Sequence, residues 1–185
     1  NIDWFGSGKN FEEASKIHTW EKNNLNFAII NVTENEWTTT HDEIPGCNPL
    51  DLVNVFNQIQ NAKNFADFII VIAHGGHESY QLPSPRMKKW YRFFIDAGAN
   101  AVIGHHTHII SGFEVYKKAP IFYSLGNFCF DWKGLRNKPW NKGMLVRLKF
   151  KKNKPVIFEL DFFNQNNDKP GVFMMNEKEK NETLS

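Results

Sequence analysis

Short apolar runs stopped by glycine or by polar clusters punctuate the 185-residue chain, and their spacing predicts alternating strands and helices. The runs Phe27-Ala-Ile-Ile-Asn-Val32, Phe68-Ile-Ile-Val-Ile-Ala73 and Ala101-Val-Ile-Gly104 are β-branched and nearly free of polar residues, which predicts strands buried on both faces. A short helix is expected over 11–15. Residues 20–32 read as a hairpin turning at Asn23-Asn24, and 38–47 read as loop. Asn48-Pro49 supplies an N-cap and first turn for a helix to about residue 61, with Leu50, Val53, Phe56 and Ile59 as its apolar face. Ser84-Pro85 starts a second helix by the same logic, with Trp90, Phe93 and Phe94 as the stripe and Ala97-Gly98 as the stop. Strand, helix, strand in this order is a βαβ unit with parallel strands.

From Gly112 the pattern changes to short strands with tight turns, over 113–116, 121–124, 144–150 and 156–163. These read as antiparallel and predict a second sheet. The stretch after Asn164 is polar and turn-rich, with an apolar island at 172–175 and a helix start at Asn176 that reaches Ser185 before a stripe develops. On this reading 1–163 form the domain and 164–185 a tail holding the start of a truncated helix.

Five of the seven histidines fall between residues 68 and 130, each cluster just past a predicted buried strand. The carboxyl ends of such strands are where α/β sheets place their chemistry, so both clusters are expected on one rim. In an extended segment His106 and His108 project to one side and His105 to the other. Neutral imidazole ligates zinc, manganese or iron, and His74 from a neighbouring strand end completes a facial set with His106 and His108. His77 and His105 are candidates for supporting or substrate-facing roles, and Glu78 and Glu34 for acid or base. His18 and His41 read as solvated side chains. Gly75, Gly76 and Gly104 are expected where the backbone turns sharply or approaches a ligand.

Composition narrows the function classes. Hydrophobic residues at 41%, charged residues at 23% and a net charge of +2 describe an ordinary globular chain without the excess charge of a nucleic-acid or anionic-membrane binder. At this length folding hides roughly 70% of the unfolded surface, so no disulfide staple is required. Cys47 and Cys129 share no CxxC spacing. Lys149, Lys151, Lys152 and Lys154 read as a solvated hairpin turn. Neither an apolar run of membrane-spanning length nor a basic-then-apolar signal pattern is present, so the chain itself reads as soluble, with a secreted or envelope-tethered parent left open.

The motifs Val71-Ile-Ala-His-Gly-Gly-His-Glu78, Pro83-Ser-Pro85, Phe94-Ile-Asp-Ala-Gly-Ala99, Val102-Ile-Gly-His-His-Thr-His108 and Ile121-Phe-Tyr-Ser-Leu-Gly-Asn-Phe128 resemble the capsule-synthesis proteins of the CapA, poly-γ-glutamate type. The resemblance is most specific over 68–131. It implies the fold of the calcineurin-like metallophosphoesterases, an α/β (α+β) four-layer α/β/β/α sandwich. It makes His74 the lone histidine ligand and His106 and His108 the paired ligands of a divalent metal centre, and adds Asn127 to His77 and Glu78 as catalytic candidates. Asn127 sits in a family hallmark run, where turn stabilisation and substrate contact are both open. The tryptophan that commonly follows the first histidine is Gly75 here, which predicts a more open wall.

The family's upstream Asp, Asn-Leu-Glu carboxylate and Asn-Asn-His motif are absent, so the chain resembles the C-terminal half of such a domain. The implied function is metal-dependent hydrolysis of a phosphoester or related polymer bond in capsule or poly-γ-glutamate synthesis, using two ions in the intact parent. The alternatives are an accessory module that binds an anionic capsular polymer without turnover, and a degenerate fold with structural histidines. Expected partners are the anionic polymer or phosphoester, the upstream half of the domain, and another copy through an exposed sheet edge. Nucleic acid and membrane are not among them.

Overall fold

A computed structural model describes residues 2–34, 38–130, 132–135, 138–165 and 171–184. Asn35 and Glu36 past the first buried strand, Asp131 at the end of the family motifs, and 166–170 and Ser185 of the expected tail lie outside the described residues.

The chain opens with β1 (Ser7–Gly8) and α1 (Phe11–Ala14), the latter capped by the Asn10 side chain, which accepts from the Glu13 amide. The hairpin β2 (His18–Lys22) and β3 (Leu25–Thr33) turns at Asn23 and Asn24 with φ of 54° and 59°, the left-handed pair that suits a two-residue hairpin. β4 (Gly46–Cys47) pairs with β1, and α2 (Leu52–Ala62), β5 (Phe68–His74), α3 (Pro85–Ala97) and β6 (Ala101–His105) follow. β7 (Phe113–Tyr116), β8 (Ala119–Phe122), β9 (Lys142–Lys149), β10 (Ile157–Gln165), β11 (Val172–Met174) and α4 (Glu177–Leu184) complete it.

One six-stranded sheet runs β2-β3-β5-β6-β8-β7, with β3, β5, β6 and β8 parallel and an antiparallel strand at each edge. β7 and β8, expected in the second sheet, belong to this one. Every residue of β8 is buried, and such a strand needs both faces covered, which only a position beside β6 provides. The second sheet is β11-β10-β9, antiparallel throughout.

Helices α2 and α3 cover one face of the large sheet, where Ile30, Val71, Val102 and Ile121 pack with Ile59, Tyr91 and Phe94. The other face meets the small sheet through Phe122, Met144 and Phe162, with the Phe122 and Phe158 rings edge-to-face at 5.1 Å. The layers therefore run helix, sheet, sheet, with α4 linked to the small sheet through Lys142 Nζ on Thr183 Oγ1. The outward face of the small sheet carries Arg147 and Lys149 paired with Glu159. Among the described residues no helix is long and apolar enough to cross a membrane.

Both helix faces differ in detail from the sequence pattern. The cap of α2 is Asp51, whose carboxylate accepts from the Asn54 amide, rather than Asn48. Residues 48–50 are consumed by pairing with Thr33, whose amide donates to Asn48 O and whose carbonyl accepts from Leu50 N. The helix thus begins later and turns Val55, Ile59 and Ala62 inward, leaving Val53 67% and Phe56 39% exposed. Phe56 instead stacks on Phe93 of α3 at the surface, so Phe93 leaves the expected stripe and Met87, Tyr91 and Ile95 replace it. Ser84 and Gly98 cap α3 as expected, Gly98 at φ 127°.

The stretch beyond residue 163 is part of the fold. β10 continues to Gln165, 3% exposed, and Val172–Met174 pairs against it. Asn176 and Glu179 form a reciprocal capping box that starts α4. The lysine-rich turn lies between β9 and β10 as expected, although Lys152 pairs with Asp67 at 2.9 Å.

Arg92 on α3 grips Glu114 on β7 with two hydrogen bonds, at 2.9 and 2.6 Å, and the Tyr123 hydroxyl donates to the same carboxylate. The Arg92 hydrogen bonds are the main cause holding Glu114 below the ordinary glutamate range. With its folded pKa depressed, the unfolded chain takes up this proton first. The contribution to stability is therefore full above the ordinary glutamate pKa and is lost as pH falls through the depressed value. Urea melts across that acid window are expected to show wild type losing stability more steeply than Glu114→Gln, and parallel curves would refute the linkage.

Candidate metal centre

Parallel pairing decides where the histidines go. β5 and β6 align His74 opposite His105, and β3 aligns Thr33 opposite His74, so three strands end together on one rim. His105 and His74 share a cavity of about 520 Å³ with Asn31, Glu34, Thr38 and Cys47. Burial, then the neighbouring His74, holds the His105 imidazole below its ordinary pKa and so favours the neutral ring.

His106 and His108 do not alternate along an extended strand as the spacing predicts. The strand stops at His105, and His106 and His108 adopt φ of 101° and 62°. Such angles are unfavourable for a side-chain-bearing residue and concentrate where function holds them. The bends leave the two rings 6.0 Å apart and place His106 Nδ1 3.1 Å from His74 Nε2. Ligating atoms of Glu78, His106 and His108 all lie within 4.8 Å of one another, with His108 Nε2 3.9 Å from Glu78 Oε1. His74 meets this group at His106, while Glu78, read from sequence as an acid or base, lies where it could ligate a metal beside them.

Asn127 orients the group. Its Oδ1 accepts from His108 Nδ1 at 2.8 Å, which leaves Nε2 as the basic nitrogen facing Glu78. Its Nδ2 donates to Trp140 O at 3.2 Å, and its own carbonyl accepts from Gln165 Nε2. The Trp140 ring stacks on His108 at 4.4 Å. Two imidazoles, one with its remote nitrogen anchored, and a carboxylate at this spacing fit a divalent first-row ion.

Glu34 has a different task from the one its position suggested. Its Oε2 accepts from the Gly76 amide at 2.7 Å and its Oε1 from Arg86 at 2.6 Å, so it clamps the loop between His74 and Glu78 to α3. A Cβ on Gly75 would sit 2.6 Å from Glu34 Cγ. A larger residue there would have to displace the Glu34 side chain. His77 is exposed, outside the Glu78, His106 and His108 group, with its ring 6.1 Å from Tyr80. His18 is no solvated side chain: it stacks between Phe5, at 4.5 Å, and Trp20, at 6.0 Å, while His41 is exposed as expected. Sequence reasoning missed Trp140, Gln165 and Arg86. Gln165 carries no local signal at all, being one polar residue in a polar stretch.

Residues 1–132 match the family model described as bacterial capsule synthesis protein PGA_cap. Over 166 residues the chain is 32% identical to the capsule biosynthesis protein CapA of Bacillus anthracis, covering 86% of this chain and 40% of that protein. It is 34% identical over 163 residues to the PGA biosynthesis protein CapA of Bacillus subtilis strain 168, covering 86% and 42%. The chain thus spans about two fifths of the length of these relatives. A solved Staphylococcus aureus chain described as a 5′-nucleotidase superposes with a TM-score of 0.55 at 14% identity, covering 97% of this chain and 35% of that one. At that identity the likeness speaks for the fold, which is metallophosphoesterase-like.

Proposed function

The chain belongs to the bacterial capsule synthesis protein family PGA_cap, and from that premise we propose that it supplies the histidine side of a divalent-metal centre in a hydrolase of phosphoester or related polymer bonds serving capsule or poly-γ-glutamate synthesis. The observation that carries the reading is the convergence of Glu78, His106 and His108, with Asn127 holding the His108 ring. Bound manganese, zinc or iron would polarise the scissile centre and make hydroxide available at neutral pH. In this reading Glu78, His106, His108 and His74 hold the ions, Asn127 positions His108, and the exposed His77 faces substrate.

Two-ion hydrolysis needs carboxylates that bridge and neutralise the ions, and Glu78 is one carboxylate. We assign the others to the part of the relatives' length that this chain does not span, and we expect that part to dock beside these strand ends. The edge strand β2 offers the backbone for pairing with that part or with another copy of this chain.

The test is turnover of bis-p-nitrophenyl phosphate with added manganese or zinc, run on the full-length relative of this chain and on residues 1–185 alone. We expect activity from the former and weak metal binding without turnover from the latter. Equal turnover by both would mean that the remaining carboxylates are dispensable and that this account of the centre is wrong. Metal binding without turnover by the full-length protein would instead favour an accessory module holding an anionic polymer. Asn127→Leu is expected to weaken metal binding about 10–100-fold, the usual cost of losing a histidine-orienting partner. Unchanged affinity in a metal titration would remove Asn127 from the centre.

A further inference from the structure

A cavity of about 550 Å³ lies beside the metal group, walled by Tyr80, Leu82, Ile109, Leu135 and Trp140. It adjoins the centre at two points. Trp140 stacks one face on His108 and also lines the cavity, and the cavity wall begins at Ser79, the residue after Glu78. Among the described residues Lys138 is the one charged group on its wall. Tyr80 and Leu82 are 67% and 80% exposed, apolar surface whose desolvation would favour an occupant. The volume suits a small organic group, and a mostly apolar wall with few polar groups is the usual composition of a ligand site.

We propose that this cavity binds the apolar part of the substrate, so that the preferred substrates are phosphoesters of hydrophobic alcohols, aryl or long-chain alkyl. The inference rests on the phosphoester reading above and deepens it. The phosphoryl group lies at Glu78, His106 and His108, the organic group enters between Trp140 and Leu82, and Lys138 offsets remaining negative charge. A small hydrophilic phosphate leaves the cavity unused.

Calorimetry on the same full-length protein with manganese compares inorganic phosphate, phenylphosphonate and octylphosphonate. At least one phosphonate is expected to bind about tenfold or more tighter than phosphate, the increment from burying roughly a ring or several methylenes. A preference for phenyl marks stacking on Trp140, and one for octyl marks an alkyl chain. Leu82→Asn, uncharged and at a position 80% exposed, is expected to erase the increment and leave phosphate affinity unchanged. Equal affinities for all three ligands, or an increment that survives Leu82→Asn, would overturn the proposal. If neither phosphate nor phosphonate binds, the phosphoester reading fails by itself and benzyl alcohol decides the cavity. Shifts of the Tyr80, Ile109 and Leu135 resonances that vanish in Leu82→Asn uphold the apolar subsite, and their absence in wild type sinks it.

Discussion

His106→Ala and His108→Ala should each lower divalent-metal affinity by more than about 100-fold, a larger loss than removing a residue that only orients a ligand. Each ring does something no neighbour can replace. His106 is the one that reaches both parts of the rim, with Nδ1 3.1 Å from His74 Nε2 and its ring within the Glu78 and His108 group. His108 has its Nδ1 committed to Asn127, which leaves Nε2 as the nitrogen available to a metal ion. Alanine at either position leaves two donors of the three-residue group, too few to hold an ion firmly against water. Metal per chain after dialysis, and manganese or zinc titrations of the full-length protein, read this directly. Unchanged stoichiometry in both variants would end the metal assignment. Both positions also carry left-handed backbone angles, which alanine tolerates poorly, so melts of each variant must accompany the titration to show that the fold survives.

Gly104→Ala should destabilise the fold by about 3 kcal/mol, the upper part of the range for forcing atoms into a packed interior. A Cβ at Gly104 would lie 2.2 Å from Tyr123 O and 2.7 Å from Tyr123 C, and these are backbone atoms that no rotamer change can move. The glycine is therefore required by the neighbouring chain segment just past β8, not by a turn or by a ligand. Relief means pushing residue 123 away from β6, which disturbs the Tyr123 hydroxyl on Glu114 and the His105 that follows Gly104. Urea unfolding measures the loss. A change below about 1 kcal/mol would show that the two segments separate easily and that the rim is softer than its pairing implies.

Where side-chain type alone carries the physics, the elements are legible in the residues. The β-branched runs at 27–32 and 68–73 could only be buried strands. Asn23-Asn24 could take the left-handed turn, and Ser84 and Gly98 could satisfy the open ends of a helix. Strand, helix, strand then implied parallel pairing, and parallel pairing implied one rim for His74 and His105. These are local or nearest-neighbour rules, legible without knowing what lies across the interior.

Other features depend on partners distant along the chain. The start of α2 moved because Thr33 claimed the backbone of residues 48–50, and a shift of start rotates every inward position of a helix. β7 and β8 joined the large sheet because an all-buried strand goes where two faces are covered. Glu34 became a clamp once Gly76 and Arg86 arrived beside it from 42 and 52 residues away. Gln165 supports Asn127 and Trp140 only because β10 returns beneath them. Hydrogen bonds to groups so far apart in the chain leave no periodicity or spacing behind, since their geometry exists only after the strands have paired.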